Sequence, residues 1–321
     1  MHTALRKLPK ISELLEKCGI PGRDLYELPT SEKRFPDGCH YRIEISGIER
    51  PEVLEALIDE MEKRDVPVHR IISLVMGATL LDDKELISFA EMARDAKLEV
   101  IATPGPRVGW DIGRQAVTPE GAYSGLRYRG VDNLCYVVAD ILRCIEFGFR
   151  GFLVTDEGLL WLLSELRKNG DIPKDVVFKV SIYAGHANPA GAKVLEMLGA
   201  NTFNPVGDLT LPMLASIRKA INIPMDVHVI LSDSFGGFNR MWETPEITRV
   251  ASPCYYKIEP GPSLAIGAGA IYKPWISPQH LSFLAREKVK YAEIIISIIE
   301  KYYPEAKLSK IGAPDLAIPK P

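Results

Sequence analysis

The sequence contains few cysteines, and none of them are paired in a motif. Its five cysteines are odd in number and widely spaced, at positions 18, 39, 135, 144 and 254. Disulfide frameworks and zinc or iron–sulfur sites need thiols that are paired or clustered. The cysteines are therefore expected to be reduced, and no iron–sulfur cluster is expected.

Long apolar runs are also missing. The most apolar stretch near the end, Ile294 to Ile299, is short and flanked by Glu293 and Glu300, whereas a membrane-spanning helix needs about 20 apolar residues. The first residues show a helical pattern broken by Pro9 and contain no apolar signal core. These absences predict a cytoplasmic protein with no membrane partner.

Charge of one sign is not in excess. Thirty-nine basic and 42 acidic residues give a formal net charge of −3, which provides no basic field for holding nucleic acid by its phosphates. Hydrophobic residues make up 46% of the chain and charged residues 25%, as in ordinary globular proteins. The composition therefore predicts a globular domain without a nucleic-acid partner.

After Gly38, short β-branched runs alternate with longer helical patterns, which is typical of repeated βα units around a parallel sheet. Eight strand-like runs can be counted, at 41–46, 66–75, 98–103, 151–155, 176–183, 202–205, 225–231 and 254–258. Helical patterns lie between them, at 52–64, 82–96, 133–147, 159–168, 190–198 and 211–221. Gly148, Gly170 and Gly199 follow helical runs, where a left-handed cap residue is expected.

Eight βα units fit either an open sheet or a closed barrel. No Gly-x-Gly-x-x-Gly follows the first run and no phosphate-binding P-loop occurs, so the open nucleotide-binding sheet is disfavoured. We expect an α/β fold, a single-domain (β/α)8 TIM barrel spanning residues 39–305. Residues 1–38 are expected to form a helical extension across the barrel bottom or against a neighbour. Residues 306–321, with three prolines after position 313, are expected to form a loose tail.

The third βα connection, residues 104–132, is far longer than the roughly 2 to 6 residues typical of such loops. It is rich in glycine, proline and aromatic residues and is predicted to act as a lid over the mouth. Its four arginines are Arg107, Arg114, Arg127 and Arg129. Any one of these arginines is expected to be solvated or paired with a carboxylate. At least one of the four is nevertheless expected to bind an anionic substrate, and Arg107 is the candidate for this role.

Side chains alternate between the lumen and the helix layer along each barrel strand, and active sites lie at the strands' C-terminal ends. In residues 41–45 the isoleucines suit the helix layer, so Arg42 and Glu44 should point inward. The same alternation directs seven more charged or polar side chains inward: Lys179, Ser181, Tyr183, Asp226, His228, Lys257 and Glu259. One interpretation is a purely structural lumen network, because buried charges must be paired.

The functional interpretation makes five of these residues catalytic: Glu44, Lys179, His228, Lys257 and Glu259. Arg42 is predicted to bind substrate, as are Gly236 and Gly237, which follow the seventh run where barrels often hold anions on backbone amides.

Three chemistries fit these residues. Glu44, Asp226 and His228, together with Asp156 and Glu259, could bind a divalent metal such as Mg²⁺, Mn²⁺ or Zn²⁺. Alternatively, a lumen lysine, Lys179 or Lys257, could form a Schiff base. The third possibility is a Ser181 nucleophile with His228 or His186 as its base, although no nucleophile-elbow motif supports it.

Several segments together resemble the U32 peptidase-like barrels of bacteria and archaea. The similarity runs from about residue 29 to residue 280 and rests on Lys33 to Gly38, Tyr41 to Ile45, Pro67 to Arg70, Gly109 to Asp111, Asn204, Asp208 to Leu211, and Gly236 to Phe238. It implies a barrel whose matching lumen positions are Glu44, Lys179, Asn188, Asn204, Asp226 and Lys257, with Asn188 and Asn204 contacting substrate. This chain lacks the cysteine cluster of the better-known members.

The leading functional hypothesis is an enzyme that acts on a small anionic substrate by acid/base or metal-assisted chemistry, of lyase, isomerase or hydrolase type. The resemblance implies an alternative, peptide hydrolysis. A second alternative is a non-catalytic barrel that binds a metabolite. Self-association into a homo-oligomer through residues 1–38 and the last helix is also predicted.

Overall fold

The computed structural model of this chain describes residues 9–74, 77–105, 127–231, 237–259 and 277–321. Within them, eight parallel strands close into a barrel, because β6 pairs with β7 and β9 pairs with both β7 and β1. The strands are β1 (Tyr41–Ile48), β2 (Arg70–Ser73), β3 (Glu99–Ala102), β4 (Gly151–Val154), β5 (Val177–Val180), β6 (Thr202–Phe203), β7 (Met225–Leu231) and β9 (Cys254–Glu259). A short strand, β8 (Phe238–Asn239), pairs antiparallel with β7. The predicted (β/α)8 fold is confirmed.

In the described part of the chain, one helix precedes the barrel, and the others follow the strands and cover its outside. They are α1 (Pro9–Lys17), α2 (Pro51–Arg64), α3 (Asp83–Asp95), α4 (Gly130–Glu146), α5 (Glu157–Asn169), α6 (Pro189–Met197), α7 (Leu211–Ala220), α8 (Thr244–Ala251) and α9 (Pro278–Tyr302). Local sequence explains their ends: Asp82 and Glu85 form a capping box at the start of α3, and Gly170 ends α5 in the left-handed conformation. In the described part of the chain, no helix has the length and apolar character needed to cross a membrane.

The alternation predicted along the strands is present. Ile43 and Ile45 are fully buried in the apolar layer between strands and helices, while Arg42 and Glu44 point into the lumen. This lumen is therefore polar and charged along much of its length, which shapes the site described below.

The C-terminal segment closes the N-terminal end of the barrel. Leu308 forms a parallel bridge with Tyr41, and the backbone N–H of Ala317 donates a hydrogen bond to Glu99. The backbone N–H of Lys320 bonds to Gly148, whose positive φ of 93° and lack of a Cβ allow Pro321 to approach. The prediction of a loose tail was wrong, since prolines do not prevent an extended segment from packing.

The N-terminal segment also packs at this end of the barrel. Of the two predicted alternatives, packing across the barrel bottom or against a neighbouring molecule, this is the first. Phe35 is buried against Tyr255, with ring centroids 5.2 Å apart. The Lys33 ammonium donates to two backbone carbonyls at the end of α7, those of Arg218 and Ile221.

Several large apolar side chains of α9 and its neighbourhood remain exposed. Trp242 and Tyr302 are in ring contact, 6.0 Å apart, with relative exposures of 73% and 55%. Homo-oligomer formation through the last helix stays a prediction.

Candidate active site

The five predicted catalytic residues form one continuous set of contacts in the lumen. Lys179 Nζ lies 3.0 Å from Glu44 Oε2, and Lys257 Nζ lies 3.8 Å from Glu44 Oε1. Lys257 lies 3.8 Å from Glu259, which in turn contacts His228 at 3.0 Å. The sheet register explains this, because Lys257 pairs with both Glu44 and His228 on the neighbouring strands.

Two members of this set, Glu44 and Lys179, belong also to a deeper, lower cluster of five buried charged residues: Glu44, Arg70, Glu99, Lys179 and Asp226. Lys179 bridges the two carboxylates of Glu44 and Asp226. Such pairing is what a buried ion in a low-dielectric lumen requires. Lys179 thus neutralises Glu44 and Asp226, as the structural interpretation predicts, and its catalytic role stays a prediction.

Arg70 and Glu99 were missed by the sequence analysis. The Arg70 guanidinium lies 2.5 Å from Glu99, 2.9 Å from Asp226 and 3.2 Å from Glu44, so it joins three carboxylates. It also stacks on Tyr255, with Cζ 3.6 Å from the ring centroid. The register between strands reveals both residues, since each is the first residue of its strand and pairs with an inward neighbour, but this register cannot be read from the sequence alone.

The upper part of the set, nearer the C-terminal ends of the strands, consists of His228, Lys257 and Glu259. Glu259 is the last residue of β9, and its side chain is 28% exposed, whereas His228 is buried. Because Glu259 is ionised, the contact of 3.0 Å with its Oε2 assigns the ring proton to His228 Nε2. His228 thus orients the carboxylate at the mouth.

The two carboxylates among the predicted catalytic residues, Glu44 and Glu259, are strongly acidic. Burial alone would raise the pKa of Glu44, but the charges of Lys179, Lys257 and Arg70 outweigh it and lower this pKa to about 2. Burial likewise opposes ionisation of Glu259, and Lys257 with the His228 hydrogen bond lowers its pKa to about 2. Both side chains are therefore carboxylates at neutral pH.

Burial shifts the other groups in the opposite sense. It lowers the pKa of Lys179, assisted by the nearby charges of Lys257 and Arg70, and it raises the pKa of Asp226. It also lowers the pKa of His228, which keeps the imidazole neutral at pH 7. Lys179 and Asp226, which are in direct contact, are thus brought closer in proton affinity than they are in water.

Two buried acceptors at the site have unused capacity, apart from Asp226 Oδ2, which contacts the Lys179 ammonium. Glu44 Oε1 and Asn204 Oδ1 accept no hydrogen bond from the described residues, although an unsatisfied buried acceptor costs about 1 to 3 kcal/mol. The amide nitrogen of Asn204 donates to the backbone carbonyl of Asp226 and lies 3.5 Å from His228 Nδ1.

The Lys257 ammonium makes no direct hydrogen bond to the carboxylates beside it. Glu44 Oε1 and Glu259 Oε2 are each 3.8 Å from it, which is too far. A polar group placed between them could bond to all three.

A further lysine supports this edge of the mouth from outside the lumen. Lys288 of α9 is 3% exposed and donates to the backbone carbonyl of Ser46, near the end of β1. Its ammonium occupies the space beside Gly47, where a Cβ would lie only 2.8 Å away. Burial lowers the pKa of Lys288 to about 8, against the opposing charges of Glu259 and Glu49.

Arg42 lies at the opposite end of the barrel, and its predicted contact with substrate is corrected. Its guanidinium is fully buried and makes a bidentate pair with Asp315, at 2.7 and 2.9 Å. It also bonds Ser309 and stacks on Phe35. Arg42 therefore fastens the C-terminal segment to the barrel bottom instead of facing the mouth.

The remaining predicted binding residues have mixed outcomes. Asn204 lies beside His228 as described, and Gly237 follows β7 at the mouth end, with a φ of 71°. Asn188 caps α6, its side-chain oxygen accepting from the Gly191 N–H at 2.9 Å, so a substrate contact of Asn188 stays a prediction. Arg107 and Gly236 lie outside the described residues.

The predicted lid, residues 104–132, is described only at its ends, since residues 106–126 lie outside the described residues. The Gly105 N–H donates to Asp140 at its start. Near its end, Arg127 pairs with Glu157 at 3.2 Å, and His186 contacts the same carboxylate at 2.8 Å. For Arg127 the expectation of a carboxylate pair is confirmed.

The proposed metal ligands do not fit a metal ion in this arrangement. Glu44 and Asp226 face the cations Lys179 and Arg70, and His228 Nε2 is directed at Glu259. Asp156 instead caps α5. Across the described ranges, no three His, Cys, Asp or Glu side chains are grouped to hold a metal ion. A metal centre stays a prediction of the sequence.

The third chemistry, a serine nucleophile, finds no base in contact with Ser181 among the residues that the structure describes. The Ser181 hydroxyl caps a short 3₁₀ helix by accepting from the Tyr183 N–H at 3.3 Å. The imidazole rings of the two proposed bases instead contact carboxylates: His186 contacts Glu157, and His228 contacts Glu259.

Comparison with known proteins finds similarity in fold only. No family model matches the chain, and no curated protein matches its sequence. Solved structures with a similar fold include the YdjI aldolase from Escherichia coli K12, at 15% identity and TM-score 0.46, with 84% of this chain and 94% of that chain covered. D-psicose 3-epimerase from Clostridium cellulolyticum H10 aligns at 8% identity and TM-score 0.47, covering 79% and 99%.

A U32 peptidase is also among these structures, at 18% identity and TM-score 0.41, covering 74% of this chain and 99% of that chain. Its family is the one that the sequence resembles, and membership in that family stays a prediction. At these identities and TM-scores, the comparisons carry no statement about the activity of this chain.

Proposed function

We propose that this chain is an enzyme that moves a proton on a small anionic substrate bound at the C-terminal end of the barrel. The observation that carries the proposal is the contact of Glu259, His228 and Lys257 at that end. It supplies an ionised carboxylate, a buried imidazole that orients it and an ammonium next to both. Barrel enzymes place catalytic groups at these strand ends.

Lys257 is proposed to bind the anionic group of the substrate. Its ammonium lies 3.8 Å from two carboxylates, so neither makes a direct hydrogen bond to it. The unused acceptors Glu44 Oε1 and Asn204 Oδ1 would receive substrate hydroxyl or N–H groups. The best-fitting substrate is therefore a small anion that also carries hydrogen-bond donors.

Glu259 is proposed to be the general base. Its low pKa makes it a weak base in the free protein, and Lys257 is the largest charge responsible. An anion bound to Lys257 would offset that charge and raise the pKa of Glu259 toward the range in which a carboxylate accepts protons efficiently. Base strength would thus rise when substrate binds.

Solvent deuterium exchange tests this function whatever the final product of the reaction is. The protein is incubated in D₂O with individual small oxo acids, hydroxy acids and sugar phosphates, and NMR follows the loss of carbon-bound protons. We expect exchange in at least one compound, reduced about 100-fold or more in Glu259→Gln. Glu246→Gln, which alters an exposed carboxylate paired with Arg249 on α8, should keep full exchange.

Two results would contradict the proposal. Exchange that is unchanged in Glu259→Gln would remove the base from this site. Binding of a compound with no exchange in any of the panel would instead support the metabolite-binding barrel.

A further inference from the structure

We propose that Lys179 is a nucleophile that forms an imine with the substrate, which would then be an aldehyde or ketone bearing an anionic group close to its carbonyl. This deepens the proposed function and rests on it for the position of the substrate. An imine withdraws electrons from the neighbouring carbon, so it would make the proton removed by Glu259 more acidic.

The position of Lys179 suits an iminium ion. The Nζ atom is fully buried between Glu44 Oε2, at 3.0 Å, and Asp226 Oδ2. An iminium carries the same single positive charge as the ammonium it replaces. The two carboxylates that neutralise the lysine would therefore neutralise the intermediate as well, and no uncompensated charge would arise in the lumen.

The contact with Asp226 provides a route for the proton that blocks a lysine's nucleophilicity. Lys179 Nζ and Asp226 Oδ2 are in direct contact and both side chains are fully buried, so a proton can pass between them without intervening solvent. Transfer from Nζ to Asp226 Oδ2 leaves a neutral amine beside a neutral acid, a pair that a low-dielectric lumen favours over two ions. Glu44 keeps its contacts with the Arg70 and Lys257 cations.

The reaction balances with groups that are present. The neutral Nζ attacks the carbonyl carbon, forming a C–N bond as the carbon–oxygen π bond breaks, and one amine proton moves to the oxygen. Asp226 then returns its proton to that hydroxyl, the C–O bond breaks, and water leaves. The products are a protonated imine on Lys179, an ionised Asp226 and one water molecule, so no oxidant or reductant is needed.

Lys257 defines where the anionic group would lie. It contacts the other oxygen of the same carboxylate, Glu44 Oε1, at 3.8 Å. One carboxylate therefore separates the nucleophile from the anion-binding ammonium, so the carbonyl and the anionic group of the substrate must be close together. A carboxylate or a phosphate would satisfy this geometry, and pyruvate and dihydroxyacetone phosphate represent the two sources.

Borohydride trapping tests the proposal on the wild-type protein. Each probe is added with sodium borohydride, and intact-mass spectrometry seeks one adduct equal to the probe mass less one oxygen atom. Tryptic mapping should then show a missed cleavage at Lys179. Lys179→Arg keeps the cation but cannot form an imine, so it should lose the adduct. Lys290→Arg, at a half-buried pair with Glu287 on α9, should retain it.

Mapping of the wild-type adduct decides the matter even if Lys179→Arg does not fold. An adduct at Lys257, an adduct spread over surface lysines, or none with either probe would overturn the role of Lys179. The deuterium assay separates this from the proposed function: exchange without an adduct at Lys179 refutes the imine alone. An adduct at Lys179 without exchange refutes the role of Glu259 and supports the nucleophile.

Discussion

Removal of the Arg70 guanidinium is the sharpest test of how the lumen is stabilised. Arg70→Met would leave three buried carboxylates with less compensation, at positions that now lie 2.5 to 3.2 Å from the guanidinium. Glu44 and Asp226 keep Lys179, but Glu99 loses its ionised partner and retains hydrogen bonds from Ala317 and Tyr255. Breaking a buried ion pair from one side typically costs about 3 to 5 kcal/mol, and we expect a loss of that size.

Urea denaturation monitored by circular dichroism measures this loss, with Arg94→Met as the matched control. Arg94 is 45% exposed and pairs with Asp95 on the outside of α3, so its removal should cost less than about 1 kcal/mol. The Arg70→Met deficit should shrink as the pH falls, because the uncompensated carboxylates then have folded-state pKa values above their unfolded values and gain protons on folding. A loss below about 1 kcal/mol at neutral pH would refute the importance of these contacts.

Three further measurements test other parts of the structure. His69 is fully buried, and burial lowers its pKa from 6.5 to about 4. Its contribution to the unfolding free energy is therefore complete above pH 6.5, and about 3 kcal/mol of it should be lost as the pH falls to 4. Urea unfolding measured across this pH range should show that loss in the wild type and not in a folded His69→Gln variant. Asp315→Asn should lower the unfolding free energy by about 2 kcal/mol, because it weakens the bidentate pair with Arg42, and an unchanged urea midpoint would contradict the role of the C-terminal segment. Elemental analysis by mass spectrometry should find well below one equivalent of magnesium, manganese or zinc, since Lys179 faces both proposed carboxylate ligands; a full equivalent that disappears in Glu44→Gln would instead establish the metal centre.

Much of the fold and half of the site could be predicted because alternation is a local property. The runs holding Glu44, Asp226 and Lys257 place a polar residue at every second position, so their inward faces can be identified before their partners are. The same local patterns gave most helix ends to within a few residues, since caps and left-handed glycines act over a single turn.

Arg70 and Glu99 escaped this reasoning because each is followed by an almost entirely apolar run. In Arg70–Ser73 and Glu99–Ala102 the inward positions after the first residue are isoleucines, Ile72 and Ile101. Such strands look apolar on both faces. The signal was present only in the register between strands, which a single sequence does not display.

The C-terminal segment was misjudged for another reason. Its contacts join residues separated by more than 200 positions, such as Arg42 with Asp315 and Glu99 with Ala317. Composition suggested a loose tail, but the partners that hold it lie on β1 and β3. No local pattern encodes such pairings, so they become visible only in the folded chain.

The fastening of β1 by residues 306–317 also bears on how the chain reaches its native state. The first strand of the barrel pairs with β2, which follows it, but its other contacts are with β9 and with this segment, and Arg42 and Asp315 are 273 positions apart. During synthesis, earlier strands can pair in order as they emerge, but the ring cannot close until β9 has been translated. Arg42 can contact Asp37 early, but its bidentate partner, Asp315, is translated later still. A high contact order of this kind slows folding, and we expect a partly assembled barrel with an open edge to persist on the ribosome, where it is exposed to aggregation.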